Sequence, residues 1–160
     1  SHNSNEDLRA LSLRIARQTN LPLVQLASNL KDDPSPQVRR EVLITLRFES
    51  GVGADTIWAE LARKHDGRDR WYLEALGVAA DLHWEGRFSA WLKLVGDNWD
   101  TPGGRDIIWR SRSKQAPALL AKILLDENTS ADQQPRYLRA FDYHDGPEKD
   151  AALETILLGM

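Results

Sequence analysis

The sequence predicts an all-α protein, an α-solenoid of about four to five stacked helix pairs. Three observations lead there. A helix stop, a tight turn and a helix restart recur along the chain, placing Val38, Tyr72, Ile107 and Leu138 at comparable positions about 31–35 residues apart. A period in that range, made of two short helices per unit, belongs to repeats whose units cannot cover their own apolar faces and bury them by stacking. No segment alternates apolar and polar residues between hairpin turns, so no sheet is expected. The connections are as short as antiparallel helix pairs need.

The elements follow in order. An opening helix is expected near Asp7–Gln18 and a second at Pro22–Leu30. The stretch DDPSPQVRREVLITLR, Asp32 to Arg47, then shows the stop and restart most clearly. Pro34 and Pro36 bar the previous helix from continuing, and Pro36 is at ease in a first helical turn, where its missing N–H has no partner anyway. Asp33 or Ser35 can cap the new helix. Val38, Val42, Leu43 and Leu46 form one apolar stripe along it. A partner helix is expected at Ala54–Lys64, after a Gly51–Gly53 loop that reads as a joint. The chain breaks again at Asp66-Gly67 and restarts behind Asp69 as N-cap. Trp84–Val95 is the next partner. A break over Asp100 to Gly104 leads to a restart at Arg105, with Pro117–Asp126 after it. The last restart lies near Asp132, and a closing helix at about Pro147–Leu158 leaves an incomplete end unit.

At 160 residues, with 41% hydrophobic and 28% charged residues, the chain fits one domain over 1–160. It begins without Met, so Ser1 reads as an expression boundary and Ser1-His2 as a tag remnant. No apolar run reaches the ~20 residues of a membrane-spanning helix. The absence of Cys excludes a disulfide, a Cys-zinc site, a thiol nucleophile and a CxxCH haem attachment. A net charge of −3 disfavours phosphate-backbone binding unless the 21 basic residues cluster on one face.

Candidate functional residues are few. His2, His65, His83 and His144 fall in different units, without metal-ligand spacing, and read as surface or capping histidines. His144 alone has carboxylate neighbours, Asp142 and Asp145, and sits past a helix end where a cation suits the dipole. Six Trp invite comparison with a binding platform, but inter-repeat packing accounts for them better. Trp84 and Trp91 share one helix face. Trp71 and Trp109 stand beside arginines near helix starts and are the pair expected to be exposed. The arginines of the restart helices, among them Arg70, Arg110 and Arg139, alternate with Glu74 and other acids, a pattern of salt bridges between units rather than of an anion strip. Arg70, Trp71, Glu74, Trp109, Arg110, Arg139 and His144 are therefore the candidate partner-binding residues. Thr101-Pro102-Gly103-Gly104 lacks the Lys-Ser/Thr and the preceding strand of a phosphate loop, and reads as a turn with a helix cap. No catalytic constellation and no metal or cofactor site is expected in this chain.

The D-P-x-P-x-V-R pattern of the first restart resembles a HEAT repeat, with Asp33 and Arg39 matching the residues that form the family's inter-unit ladder. The other turns match loosely: Tyr72 stands where the arginine would follow Asp66. A longer resemblance rests on DGRDRWYLEALGVAAD, TPGGRDIIWRSRSKQA and RYLRAFDYHDGPEKDAAL in that order. These look like the helical middle region of large haem-binding dehydrogenase-like proteins of the Planctomycetes–Verrucomicrobia type. The resemblance implies a spacer between a sugar- or sorbosone-dehydrogenase-like propeller and a c-type cytochrome domain. It implies a periplasmic or extracytoplasmic setting, haem elsewhere in the parent, and partners that are domains of the same chain or a redox protein. Contact with a haem domain would then involve Arg70, Trp71 and Arg110. The resemblance carries over no catalytic residue. An alternative also follows from the HEAT likeness: a DNA-glycosylase-type module gripping duplex DNA, with Asp106 and Trp109 as its nearest candidates.

Overall fold

Short polar side chains decide where the helices begin. Asn5 accepts from the Asp7 N–H, Ser35 faces the Val38 N–H, Asp69 accepts from the Tyr72 N–H at 3.0 Å and Thr101 from the Gly104 N–H at 3.0 Å. Each satisfies a donor that a helix start leaves orphaned. Pro36 and Pro102 open the helices behind Ser35 and Thr101. The computed structural model describes residues 5–19 and 21–159; Ser1 and His2, read above as a tag remnant, lie outside them.

Ten α-helices result among the described residues, and no strand. They are α1 (Glu6–Ala16), α2 (Leu23–Leu30), α3 (Pro36–Thr45), α4 (Val52–Ala62), α5 (Arg70–Ala80), α6 (Trp84–Val95), α7 (Pro102–Arg110), α8 (Ala116–Leu125), α9 (Gln134–Ala140) and α10 (Pro147–Gly159). Short 3-10 turns extend α3, α6 and α9. The odd-numbered helices pack in succession, α1 on α3, α3 on α5, α5 on α7 and α7 on α9. The even-numbered ones do the same from α2 to α4 to α6, and again from α8 to α10. The expected elements are present with ends displaced by a few residues. Two displacements have a clear cause. Helix α7 starts at Pro102 rather than Arg105, because Thr101 caps it and Gly103 and Gly104 are helical. Gly51 (φ 94°) stands just before α4, which takes in Gly53 rather than leaving it in a loop.

The core runs between the two sets of helices. Trp58, Phe88, Trp91, Leu43, Leu61 and Leu120 are fully buried. The Trp58 indole donates to the Leu76 carbonyl at 3.0 Å and meets Trp84 edge-on at 5.9 Å, which satisfies its N–H inside apolar surroundings. Trp58, Trp84 and Trp91 thus pack, as expected, and Trp99 is half-buried. The register expected for the last restart is off by one residue. Val38, Tyr72 and Ile107 are buried, but Leu138 is 47% exposed and Tyr137 takes the inward place. Helix α9 has no side-chain cap, so no cap marks the register of its start. No helix among the described residues is long and apolar enough to cross a membrane.

Candidate functional site

The mixed charges of the restart helices link successive odd-numbered helices. Arg14 of α1 and Arg17 just after it pair with Glu41 of α3; Arg40 of α3 pairs with Asp69 at the start of α5, and Arg47 with Asp81 at its end. Between α5 and α7, Arg110 stands 3.6 Å from Glu74. Between α7 and α9, Arg136 binds Asp106 at 2.7 Å. The HEAT-type rung differs from expectation. The Asp33 carboxylate takes Arg9 of the preceding unit at 2.6 and 2.9 Å, and that guanidinium holds its pKa below the usual carboxylate range. Arg39 instead donates to the Asp33 and Pro34 carbonyls and lies over the Tyr72 ring. Arg105 repeats the Arg9 arrangement, reaching Asp126 and Thr129 in the turn before α9. Arg9, Arg39 and Arg105 are each four residues beyond an N-cap, a spacing readable in the sequence once the caps are placed.

One cluster on this layer has more structure than an isolated pair. His65 lies in the turn after α4, and its Nε2 lies 3.0 Å from Asp106 Oδ2. The other oxygen of Asp106 accepts from Arg136, whose guanidinium stacks over Trp109 at 4.3 Å. Burial pushes the Asp106 carboxyl up, but the hydrogen bonds from His65 and Arg136 outweigh it and hold the pKa below the ordinary value. Asp106 and Arg136 divide two open cavities. One, of about 510 Å³, runs past Arg105, Thr101 and Tyr137. The other, of about 270 Å³, is bordered by Arg68, Arg70, Leu73, Glu74 and Trp109 as well.

The structure brings Arg70, Glu74 and Trp109 together at the smaller cavity. Trp71 is exposed as expected, at 71%, but Trp109 is half-covered by Arg136. Arg110 is a pin between helices: its guanidinium lies so close to Gly77 that an added Cβ would meet it at 2.6 Å. Arg139 is exposed on α9. Two histidines correct the surface reading. His65 is buried against Asp106, and His144, 5% exposed, is inaccessible to a partner. Burial, with Arg112 and Lys149 nearby, pushes the His144 pKa down, so it is no cation at a helix end. Asp106 and Trp109, the residues of the DNA alternative, are adjacent, yet both oxygens of Asp106 are engaged within the fold. Thr101–Gly104 is the cap expected. The meeting of His65 and Arg136 on Asp106 is not legible in the sequence, because the partners lie 41 and 30 residues from it.

The His144 shift gives a pH prediction. The unfolded chain takes up this proton near pH 6.5, the folded chain only at lower pH. The unfolded state therefore binds more protons across that window, and stability falls as pH falls through it. Thermal melts between about pH 7.5 and 5.5 are expected to show this slope, and His144→Gln to flatten it.

Fold and cluster together define an all-α helical domain tied along one layer by charged side chains. No protein-family model, no curated protein and no solved structure matches the chain.

Proposed function

We propose that the chain is an α-solenoid of HEAT-like repeats acting as a non-catalytic scaffold or protein-interaction arm. In this reading it spaces a sugar-dehydrogenase-like propeller and a c-type cytochrome domain in a larger extracytoplasmic redox protein, as the resemblance of its three long motifs implies. The observation that carries the repeat reading is the run of charged links from α1 through α3, α5 and α7 to α9. Each unit grips its sequence neighbour, the arrangement by which a one-dimensional stack holds its register.

Position equivalence supports the same reading. The residues three, six and ten after the N-cap are Val38, Glu41 and Thr45 in α3, and Tyr72, Ala75 and Ala79 in α5. Val38, Thr45, Tyr72, Ala75 and Ala79 are buried and Glu41 is taken by Arg14 and Arg17; Ile107 holds the six-residue place in α7 and is 2% exposed. In α1 those places hold Leu8, Leu11 and Ile15, exposed at 47, 45 and 55%. A stack has such an open outer face at its first unit. The substitution Leu11→Ala is expected to change stability by less than about 0.5 kcal/mol, and Ile107→Ala, at the equivalent place, to cost about 3 kcal/mol. Urea unfolding of both variants checks the pair.

Small-angle scattering and turnover assays test the function. A stack has a radius of gyration well above the ~15 Å of a compact chain of this length. Scattering at that compact value defeats the solenoid reading. Oxidation of an aldose or sorbosone by the chain with a dye acceptor defeats the non-catalytic one.

A further inference from the structure

We propose that the 270 Å³ cavity between the start of α5 and α7 receives the carboxylate side chains of an acidic peptide segment on a protein partner. The proposal rests on the interaction-module reading and names the chemistry of its partner.

The distribution of arginines carries it. Eleven of the fifteen are occupied within the fold by carboxylates, backbone carbonyls or aromatic rings. Arg63, Arg68, Arg70 and Arg139 have no such partner among the described residues, and Arg68 and Arg70 border the same cavity. The nearby carboxylates are already engaged. Asp69 caps α5 and takes Arg40; Asp66 accepts from the Arg68 N–H; Glu74 faces Arg110; Asp106 is held by His65 and Arg136. Two guanidinium groups thus border the cavity with no hydrogen-bond or ion-pair partner among the described residues. Leu73, 5% exposed, and the half-covered Trp109 supply apolar wall.

A guanidinium fork matches a carboxylate in two parallel hydrogen bonds, and the wall suits the methylenes of Glu. A nucleic acid fits less well. Its phosphates form a continuous line of charge, whereas Glu74, Asp106 and Asp66 interrupt the basic groups here, and the whole chain carries −3. Discrete carboxylates on a flexible segment need only the guanidinium groups of Arg68 and Arg70, and Glu74 and Asp106 on the same cavity are already engaged by Arg110, His65 and Arg136.

Calorimetric titration of the whole chain with acetylated hexaglutamate tests this, with hexalysine, inorganic phosphate and a short DNA duplex as controls. Hexaglutamate is expected to bind saturably and more weakly as salt rises. The double variant Arg68→Ala/Arg70→Ala is expected to bind it at least about tenfold less tightly, with an unchanged melting temperature, since neither side chain has a partner to lose. Arg70→Glu gives a second reading by charge reversal. Four results overturn the proposal: no saturable binding up to about 1 mM peptide, equal affinity in the variants, phosphate binding as tight as the peptide, or preference for the duplex. Scattering from a compact particle would defeat the scaffold reading while leaving this binding result intact, so the two failures are distinguishable.

Discussion

Replacing Gly103 with alanine is expected to destabilise the protein by more than about 4 kcal/mol, beyond the usual range for a single added methyl. The first turn of α7 lies directly against the end of α4. A Cβ on Gly103 would fall inside the contact distance of the His65 carbonyl oxygen, and one on Gly104 inside that of Trp99. Both obstacles are backbone, so no rotamer change relieves them. Helix α7 must back away from α4, and that movement opens the His65–Asp106 hydrogen bond as well. Gly51 is the contrast. Its φ of 94° strains any other residue, but nothing lies within 4 Å of its missing side chain. Gly51→Ala is expected to cost only about 1 kcal/mol. Urea denaturation of the three proteins gives the order; equal midpoints for Gly103→Ala and Gly51→Ala would show that α7 is not held where the structure places it.

These glycines also show what a sequence can and cannot disclose. Thr101 as cap and Pro102 as helix opener follow from residue type, since each acts within one turn of its own position. The reason for two consecutive glycines does not, because the atoms that exclude a Cβ belong to His65 and to Trp99. The stripe Val38, Val42, Leu43, Leu46 was readable for the same local reason, and all four are buried. The buried tryptophans follow from helical spacing too. By contrast, the carboxylate that Arg9 would find, Asp33, is 24 residues away. Charge alternation announced ion pairs between units without naming the partners. The burial of His65 and His144 is not legible in the sequence, because it depends on what packs over each ring.

Acidification should therefore act on the ladder as a whole. Asp33, Glu41, Asp106 and Asp126 all have pKa values below their ordinary ones, for Asp33 and Asp126 chiefly through hydrogen bonds, and for Glu41 and Asp106 through ion pairs that outweigh burial. Their stabilisation is present above the unfolded value near pH 4 and is lost as pH falls through the lower folded values. The same links join successive odd-numbered helices, so under the proposed stacked arrangement a loss of spacing between helix pairs is expected to accompany that of stability in acid.

Arg87→Ala is expected to cost about 3–5 kcal/mol, because it empties a buried site and strips two carbonyls of their donor at once. Arg87 lies on the apolar stripe of α6 between Trp84, Phe88 and Trp91, and its side chain is wholly buried. One Nη donates to the Leu46 carbonyl at 2.5 Å and the Glu49 carbonyl at 2.8 Å, closing the end of the turn that follows α3. Asp55 of α4 stands 3.8 Å away and its carboxylate packs on Gly86. Burial lowers the Arg87 pKa to about 10, so the charge survives at neutral pH. Two opposing terms meet here. Desolvating a guanidinium costs several kcal/mol, and Nε and Nη1 have no hydrogen-bond partner. Against this stand two charge-assisted bonds worth about 1.5–3 kcal/mol each and the filled volume. Arg87→Met separates them, since it keeps the volume, drops the charge and leaves the carbonyls bare. A loss near that of Arg87→Ala would assign the stability to the carbonyl bonds. A loss below about 1 kcal/mol would assign it to volume, with the charge contributing nothing net. Since those two carbonyls belong to the connection between α3 and α4, the residue joins two successive helix pairs from within, where the ladder joins them from outside.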